Sequence, residues 1–187
     1  MNILVIPEDF RKDGYILEPL LQRLLSELGR PRSRVRILRD PLLGGVGEAL
    51  KSSRIREIVD RNQGMVDIFL LCVDRDGIAT RQQRLDDIER EFDGPVHFLA
   101  TNAWEEIETW ALAGLALPKN WQWRDIRTEA NVKEAYFEPF SQLRGTIDGP
   151  GGGRKALGEE ASRNIQAIRQ KCPEDFDRLA KRIELLL

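Results

Sequence analysis

Apolar residues fall along this chain in two rhythms. The first is short unbroken runs. Asn2-Ile-Leu-Val-Ile6 is closed by Pro7, and Val66–Val73 carries Ile68-Phe-Leu-Leu-Cys-Val73 straight into Asp74-Arg-Asp-Gly77. A run of that length bounded by a turn signal predicts a strand buried on both faces of a mostly parallel sheet. Val35-Arg-Ile-Leu38 alternates charge with apolar residues and predicts a strand nearer an edge, and Val96-His-Phe-Leu99 predicts a fourth. The second rhythm is helical. Ile16, Leu17, Leu20, Leu21, Leu24, Leu25 and Leu28 predict a helix from about Asp13 that Gly29-Arg30-Pro31 ends. Further helices are predicted from Glu48 to about Asn62, from Gln82 to Phe92 before a Gly94-Pro95 turn, and from Trp104 to Leu115 with Thr101-Asn102 as its cap. Strands alternating with helices imply parallel pairing through right-handed crossovers, hence an α/β three-layer fold.

After Pro118 the pattern loosens. Trp121, Trp123, Tyr136, Phe137 and Phe140 stand among charges, Gly145–Gly153 predicts a flexible loop, and Lys155–Lys171 and Pro173–Leu187 predict two amphipathic helices. The expected organisation is an α/β core over residues 1–117, with residues 118–187 as a loop and helical C-terminal flank of the same domain.

Composition narrows the chemistry. At 187 residues, the chain suits one well-buried domain. Its net charge of −2 advertises no global basic field, although a local basic groove can sit on a neutral protein. No apolar run reaches membrane-spanning length, and Met1–Ile6 is too short for a signal peptide. The expectation is a reduced, cytoplasmic protein without a membrane segment. Two cysteines and one histidine leave no material for a Cys/His zinc site, and Cys72 reads as a small buried hydrophobe. Any metal must therefore be a hard ion held by oxygen.

The carboxylates have a place for such an ion. Ligands of open parallel sheets bind beyond the carboxyl ends of the strands. Glu8 follows the first strand, and Asp74 and Asp76 follow the third; in a doubly wound sheet those strands commonly lie side by side. Like charges brought together repel unless a cation neutralises them, and magnesium needs only one or two carboxylates plus substrate phosphates. Within Ala100-Thr-Asn-Ala-Trp-Glu-Glu-Ile-Glu-Thr-Trp110, a core stripe of Trp104, Ile107 and Ala111 puts Glu105 and Glu108 together on the neighbouring helix face. The plain alternative for each is a solvated loop or helix carboxylate.

With these residues in view, the chain resembles Toprim-like proteins akin to the nuclease half of the overcoming-lysogenisation-defect (OLD) family. Toprim domains carry a glutamate after the first strand and an Asp-x-Asp after the third. Similar too are Tyr15-Ile-Leu-Glu-Pro-Leu-Leu-Gln-Arg-Leu-Leu25, Glu108-Thr-Trp110, Lys155-Ala-Leu157 and Cys172-Pro-Glu-Asp-Phe-Asp-Arg-Leu179. The resemblance spans most of the chain in short motifs. It implies a Toprim/Rossmann-like fold and a Mg2+- or Mn2+-dependent phosphodiester-cleaving centre acting on nucleic acid, DNA or RNA. Glu8, Asp74 and Asp76 would be ligands, Glu108 with Glu105 would serve a second ion, and Lys155 would supply charge to the phosphate. It also implies an SMC/ABC-type ATPase partner in phage defence; assembly as a homo-oligomer stays open. Pro7 stands where relatives carry glycine, and Glu8-Asp9-Phe10 departs from their usual turn, so Glu8, Asp9 or both face the ion.

Two other readings stay beside it. A Toprim-like scaffold without activity would serve as a binding or regulatory subunit. A receiver-like phosphoacceptor would use Asp74, with Glu8-Asp9 and Thr101, but leaves Asp76 without a role. Gly44-Gly-Val-Gly47 reads as a loop, Gly149–Lys155 is rejected as a phosphate loop, and His97 is not read as a catalyst. Trp121 and Trp123 with Arg124 and Arg127 read first as a hydrophobic anchor for the tail or a partner contact and second as a base-stacking surface.

Overall fold

Four strands form one parallel sheet: β1 (Asn2–Pro7), β2 (Arg34–Ile37), β3 (Ile68–Asp74) and β4 (His97–Ala103). Their order is β2-β1-β3-β4, so β2 is an edge strand as its alternating pattern requires, and β1 and β3 are neighbours. The computed structural model describes residues 1–40, 43, 45–92, 94 and 96–187; Gly44 and Pro95, read above as loop and turn, lie outside them.

The period-two alternation of the buried strands divides their side chains between two cores. Ile3, Val5, Ile68, Leu70 and Cys72 face α1 (Gly14–Glu27). Leu4, Ile6, Phe69, Leu71 and Val73 face the opposite layer. That layer contains α2 (Val46–Ala49), α3 (Ser52–Asn62) and α4 (Arg81–Arg90). The result is a Rossmann-like three-layer α/β fold. The helix read as continuous from Glu48 to Asn62 is two pieces, because Lys51 adopts an extended conformation between them.

β4 runs to Ala103, so Thr101 and Asn102 are strand residues and do not cap a helix. The chain then turns, with Glu105 at φ 61°, and α5 (Glu108–Gly114) begins four residues later than the periodicity indicates. The apolar stripe of Trp104, Ile107 and Ala111 mimics helical spacing across a turn.

Beyond residue 117 follow α6 (Trp123–Thr128), a π-helical turn at Lys133–Phe137, α7 (Glu138–Leu143), α8 (Arg154–Ala161), α9 (Ile165–Lys171), a second π-helical turn at Pro173–Asp177 and α10 (Arg178–Glu184). A 3-10 turn, Ser162–Asn164, divides α8 from α9 where the sequence pattern suggests one helix. Phe137, Phe140, Leu157, Ile165, Ile168, Phe176, Leu179 and Ile183 join the same core as α1 and α5. Each buried side chain of this size contributes about 1.5–3 kcal/mol of transfer free energy, so the flank is bound to the sheet layer. Gly158 permits a close approach: a Cβ there would lie 2.6 Å from the Tyr15 carbonyl oxygen of α1.

The tryptophan pair packs within this flank, in line with the first of the two favoured alternatives, an anchor or a partner contact. Trp121 packs edge-on against Tyr136 and next to Phe140, and Trp123 donates to the Lys171 carbonyl at 3.3 Å. Asp175 is the polar tie. Buried, it accepts from Trp104 N at 2.8 Å, Trp110 Nε1 at 2.7 Å and both Arg127 terminal nitrogens at 2.7 and 3.1 Å. No helix among the described residues is long and apolar enough to cross a membrane.

Candidate functional site

The strand order creates one crevice. From β1 the chain goes to β2 on one side with α1 on one face, whereas β3 and β4 lie on the other side with α3 and α4 on the opposite face. Connections therefore part between β1 and β3, and ligands of open α/β sheets bind at such a switch point, beyond the carboxyl ends. Glu8 directly follows β1, and Asp74 is the last residue of β3, two beyond the Cys72 that pairs with Pro7. Asp76 occupies the turn after β3 at φ 53°, Glu108 opens α5, and Asp13 immediately precedes α1.

These acids feel one another. Burial raises Asp74 well above the usual carboxylate range, and the charges of Glu108, Asp13 and Glu8 add to it against one hydrogen bond from Ile107 N at 2.8 Å. Asp13 is raised to about 7, by burial first and by Glu108, Asp9 and Glu8, although it accepts from Asp9 N at 2.9 Å. Glu8 is raised by burial and then by Asp76, opposed by the Val46 amide and Arg81, and its Oε2 is buried without a hydrogen-bond partner. Asp13 was not singled out from the sequence. Its only signal in the sequence is an aspartate at the start of the helix after β1, an ordinary place for that residue.

Arginines neutralise the other acids. Arg154 donates from Nε to Glu108 Oε1 at 2.8 Å, with a second contact from Nη2, and both side chains are about nine-tenths buried or more, at 4% and 5% exposure. Arg81 pairs with Asp76 at 3.2 Å. Arg75 pairs with Glu105, whose Oε2 also accepts from Gly77 N at 2.6 Å, while its carbonyl accepts from Arg75 N at 2.8 Å and Asp76 N at 3.2 Å. Glu105 therefore clasps the Asp-Arg-Asp-Gly turn; it does not share a helix face with Glu108. That juxtaposition fails because α5 starts only at Glu108.

Lys155 is exposed and pairs with Glu159. The cation that reaches the crevice acids from this segment is its neighbour Arg154, which a motif centred on Lys155 passes over. Arg154 is set by a turn of three left-handed glycines, Gly151 to Gly153, and donates to the Gly151 carbonyl at 2.6 Å. The loop is also tied by Ser141, whose hydroxyl bonds Thr146 and the Gly152 carbonyl.

Glu8, Asp13 and Asp74 thus have no ion-pair partner among the described residues, whereas Glu105, Glu108 and Asp76 each have an arginine. Charge and an unpaired buried oxygen suit a hard cation at the first three. As the side chains stand, no group of three His, Cys, Asp or Glu residues among those described is arranged to grip one ion. Comparison with protein-family models, with curated proteins and with solved structures gives no match.

Proposed function

We propose that the chain is a divalent-metal-dependent phosphodiesterase acting on nucleic acid. The observation that carries the reading is the set of three neighbouring carboxylates without an ion-pair partner among the described residues, Glu8, Asp13 and Asp74, at the switch point between β1 and β3. Their repulsion is the force that a cation would relieve. Magnesium or manganese bound there supplies Lewis acidity toward a phosphoryl oxygen and makes water a stronger acid. Glu8 and Asp74 would hold it, with Asp13 joining by side-chain rotation, and Asp76 reaching it on release from Arg81. Arg154, held by Glu108, would set a positive charge beside the bound phosphate. An ATPase partner and a role in phage defence rest on the Toprim/OLD resemblance alone.

The arginine pairs favour a second reading, a Toprim-like subunit that binds without cutting, because Glu105, Glu108 and Asp76 are engaged by protein cations. One experiment separates the two. Purified protein is incubated with single- and double-stranded DNA and RNA in millimolar magnesium or manganese, alongside Asp74→Asn and Glu8→Gln. Cleavage lost by at least about 100-fold in both variants supports the hydrolase. Nucleic-acid binding without cleavage, and no metal-induced rise in melting temperature, favours the binding subunit.

A further inference from the structure

A second cavity lies across the Asp-Arg-Asp-Gly turn from the carboxylates, at the carboxyl end of β4. It holds about 270 Å³ and is lined by Arg75, Ala79, Gln82, Asn102, Trp104 and Arg178, with Glu174 and Asp175 at its wall. Ligand pockets run from roughly 300 to 1,000 Å³, so this one lies just under the lower end and its occupant is no larger than about a single nucleotide.

Its polar groups are specific. Asn102 is only 5% exposed; its Nδ2 donates to the Ala103 carbonyl at 3.1 Å, which fixes the amide orientation and leaves Oδ1 buried without a donor. A buried acceptor of this kind costs free energy until something donates to it. Arg178 contacts Gln82 Oε1, a neutral group, and has no carboxylate partner among the described residues; its Nε is also unpaired. The wall acids are occupied, since Arg127 pairs with both Glu174 and Asp175. Arg75 is stacked on Trp104, with its guanidinium carbon 4.1 Å from the ring centroid. A guanidinium held flat in this way offers its remaining face to a planar ligand.

We propose that this cavity binds a nucleotide, with an N–H of the base donating to Asn102 Oδ1, the base plane against Arg75 and the phosphate on Arg178. A donor edge, a flat body and an anion are the three properties that the lining requires together. The nucleotide can be free or the end of a strand. The inference stands apart from the metal reading, because none of Glu8, Asp13 and Asp74 lines this cavity.

The test is calorimetric titration of the purified chain with each nucleoside monophosphate, the matching nucleosides, inorganic phosphate, and a 5′-phosphorylated dinucleotide. At least one monophosphate should bind more tightly than either its nucleoside or phosphate alone. Arg178→Gln should weaken that binding by about tenfold or more, the loss of one charge-assisted contact. Asn102→Leu should weaken it similarly; in case that buried change perturbs folding, Ala79→Leu narrows the cavity from an exposed position and should also abolish binding. Equal or tighter binding of the dinucleotide identifies a strand end as the occupant, and its exclusion identifies the free nucleotide. Absence of binding by all monophosphates at millimolar concentration overturns the proposal. So does affinity for phosphate alone equal to that for the nucleotide, or affinity unchanged in both Arg178→Gln and Ala79→Leu. Retention of nucleotide binding in Asp74→Asn separates this result from failure of the hydrolase reading.

Discussion

Asp13→Asn should stabilise the protein at pH 8 and do almost nothing near pH 4. The carboxyl is raised from 3.8 to about 7 by burial and by the charges of Glu108, Asp9 and Glu8. Below 3.8 the folded and unfolded chains both hold the proton, so Asp13 has no differential effect. Between 3.8 and about 7 only the folded chain keeps it, and each rising pH unit removes about 1.4 kcal/mol of stability. Above 7 the folded group is ionised and the whole cost is present. About three pH units give a ceiling of about 4 kcal/mol, and solvent at the crevice rim reduces this to about 2 kcal/mol. Asparagine retains an oxygen to accept from Asp9 N, now bonded at 2.9 Å, so the substitution removes the charge and spares the turn. Urea unfolding of both proteins at intervals between about pH 4.5 and 8.5 measures the difference. It should rise across that window and level off near pH 7.5. A difference that is flat with pH, or a loss of stability at pH 8, refutes the reasoning.

Arg154→Met should cost about 3–5 kcal/mol by stranding the buried Glu108 carboxylate, and Arg154→Met with Glu108→Leu should recover much of it, as a double-mutant cycle in chemical denaturation will measure. Asp175→Asn replaces an ionised acceptor of Trp104, Trp110 and Arg127, so it should cost about 1.5–3 kcal/mol and speed proteolysis within residues 118–187, read by limited digestion. Gly153→Ala places a Cβ 2.1 Å from Ser141 Oγ at a backbone φ of +87° and should lower the melting temperature, whereas Gly145→Ala, at φ +64° with open space around it, should lower it less.

The fold was legible where burial acts on both faces of a strand. The runs Ile3–Ile6 and Ile68–Val73 named the two central strands, and the turn after Val73 named the crevice. Elements whose ends depend on tertiary contacts were not legible. β4 continues through Thr101 and Asn102 because seven consecutive residues pair with β3, a fact that no local preference of a Thr-Asn pair carries. Glu105 looked like a helical neighbour of Glu108, yet its backbone lies in the left-handed region and its side chain clasps a turn 28 residues earlier. Arg154 and Asp13 were missed for the same reason. Arginine beside a glycine loop and aspartate before a helix are ordinary surface residues in sequence, and only the assembled crevice turns them into a buried ion pair and a raised carboxyl.

Where a cation would enter follows from which acids are already paired. Occupying Glu105 or Glu108 means displacing Arg75 or Arg154 from a largely buried ion pair, and stripping one partner from such a pair costs about 3–5 kcal/mol. Occupying Glu8, Asp13 and Asp74 breaks no ion pair and meets carboxyls raised by burial first and by neighbouring acids second. For a cation held beside Glu8 and Asp74, Glu105→Gln should leave its affinity nearly unchanged whereas Glu8→Gln should weaken it, as calorimetric titration with magnesium or manganese will measure.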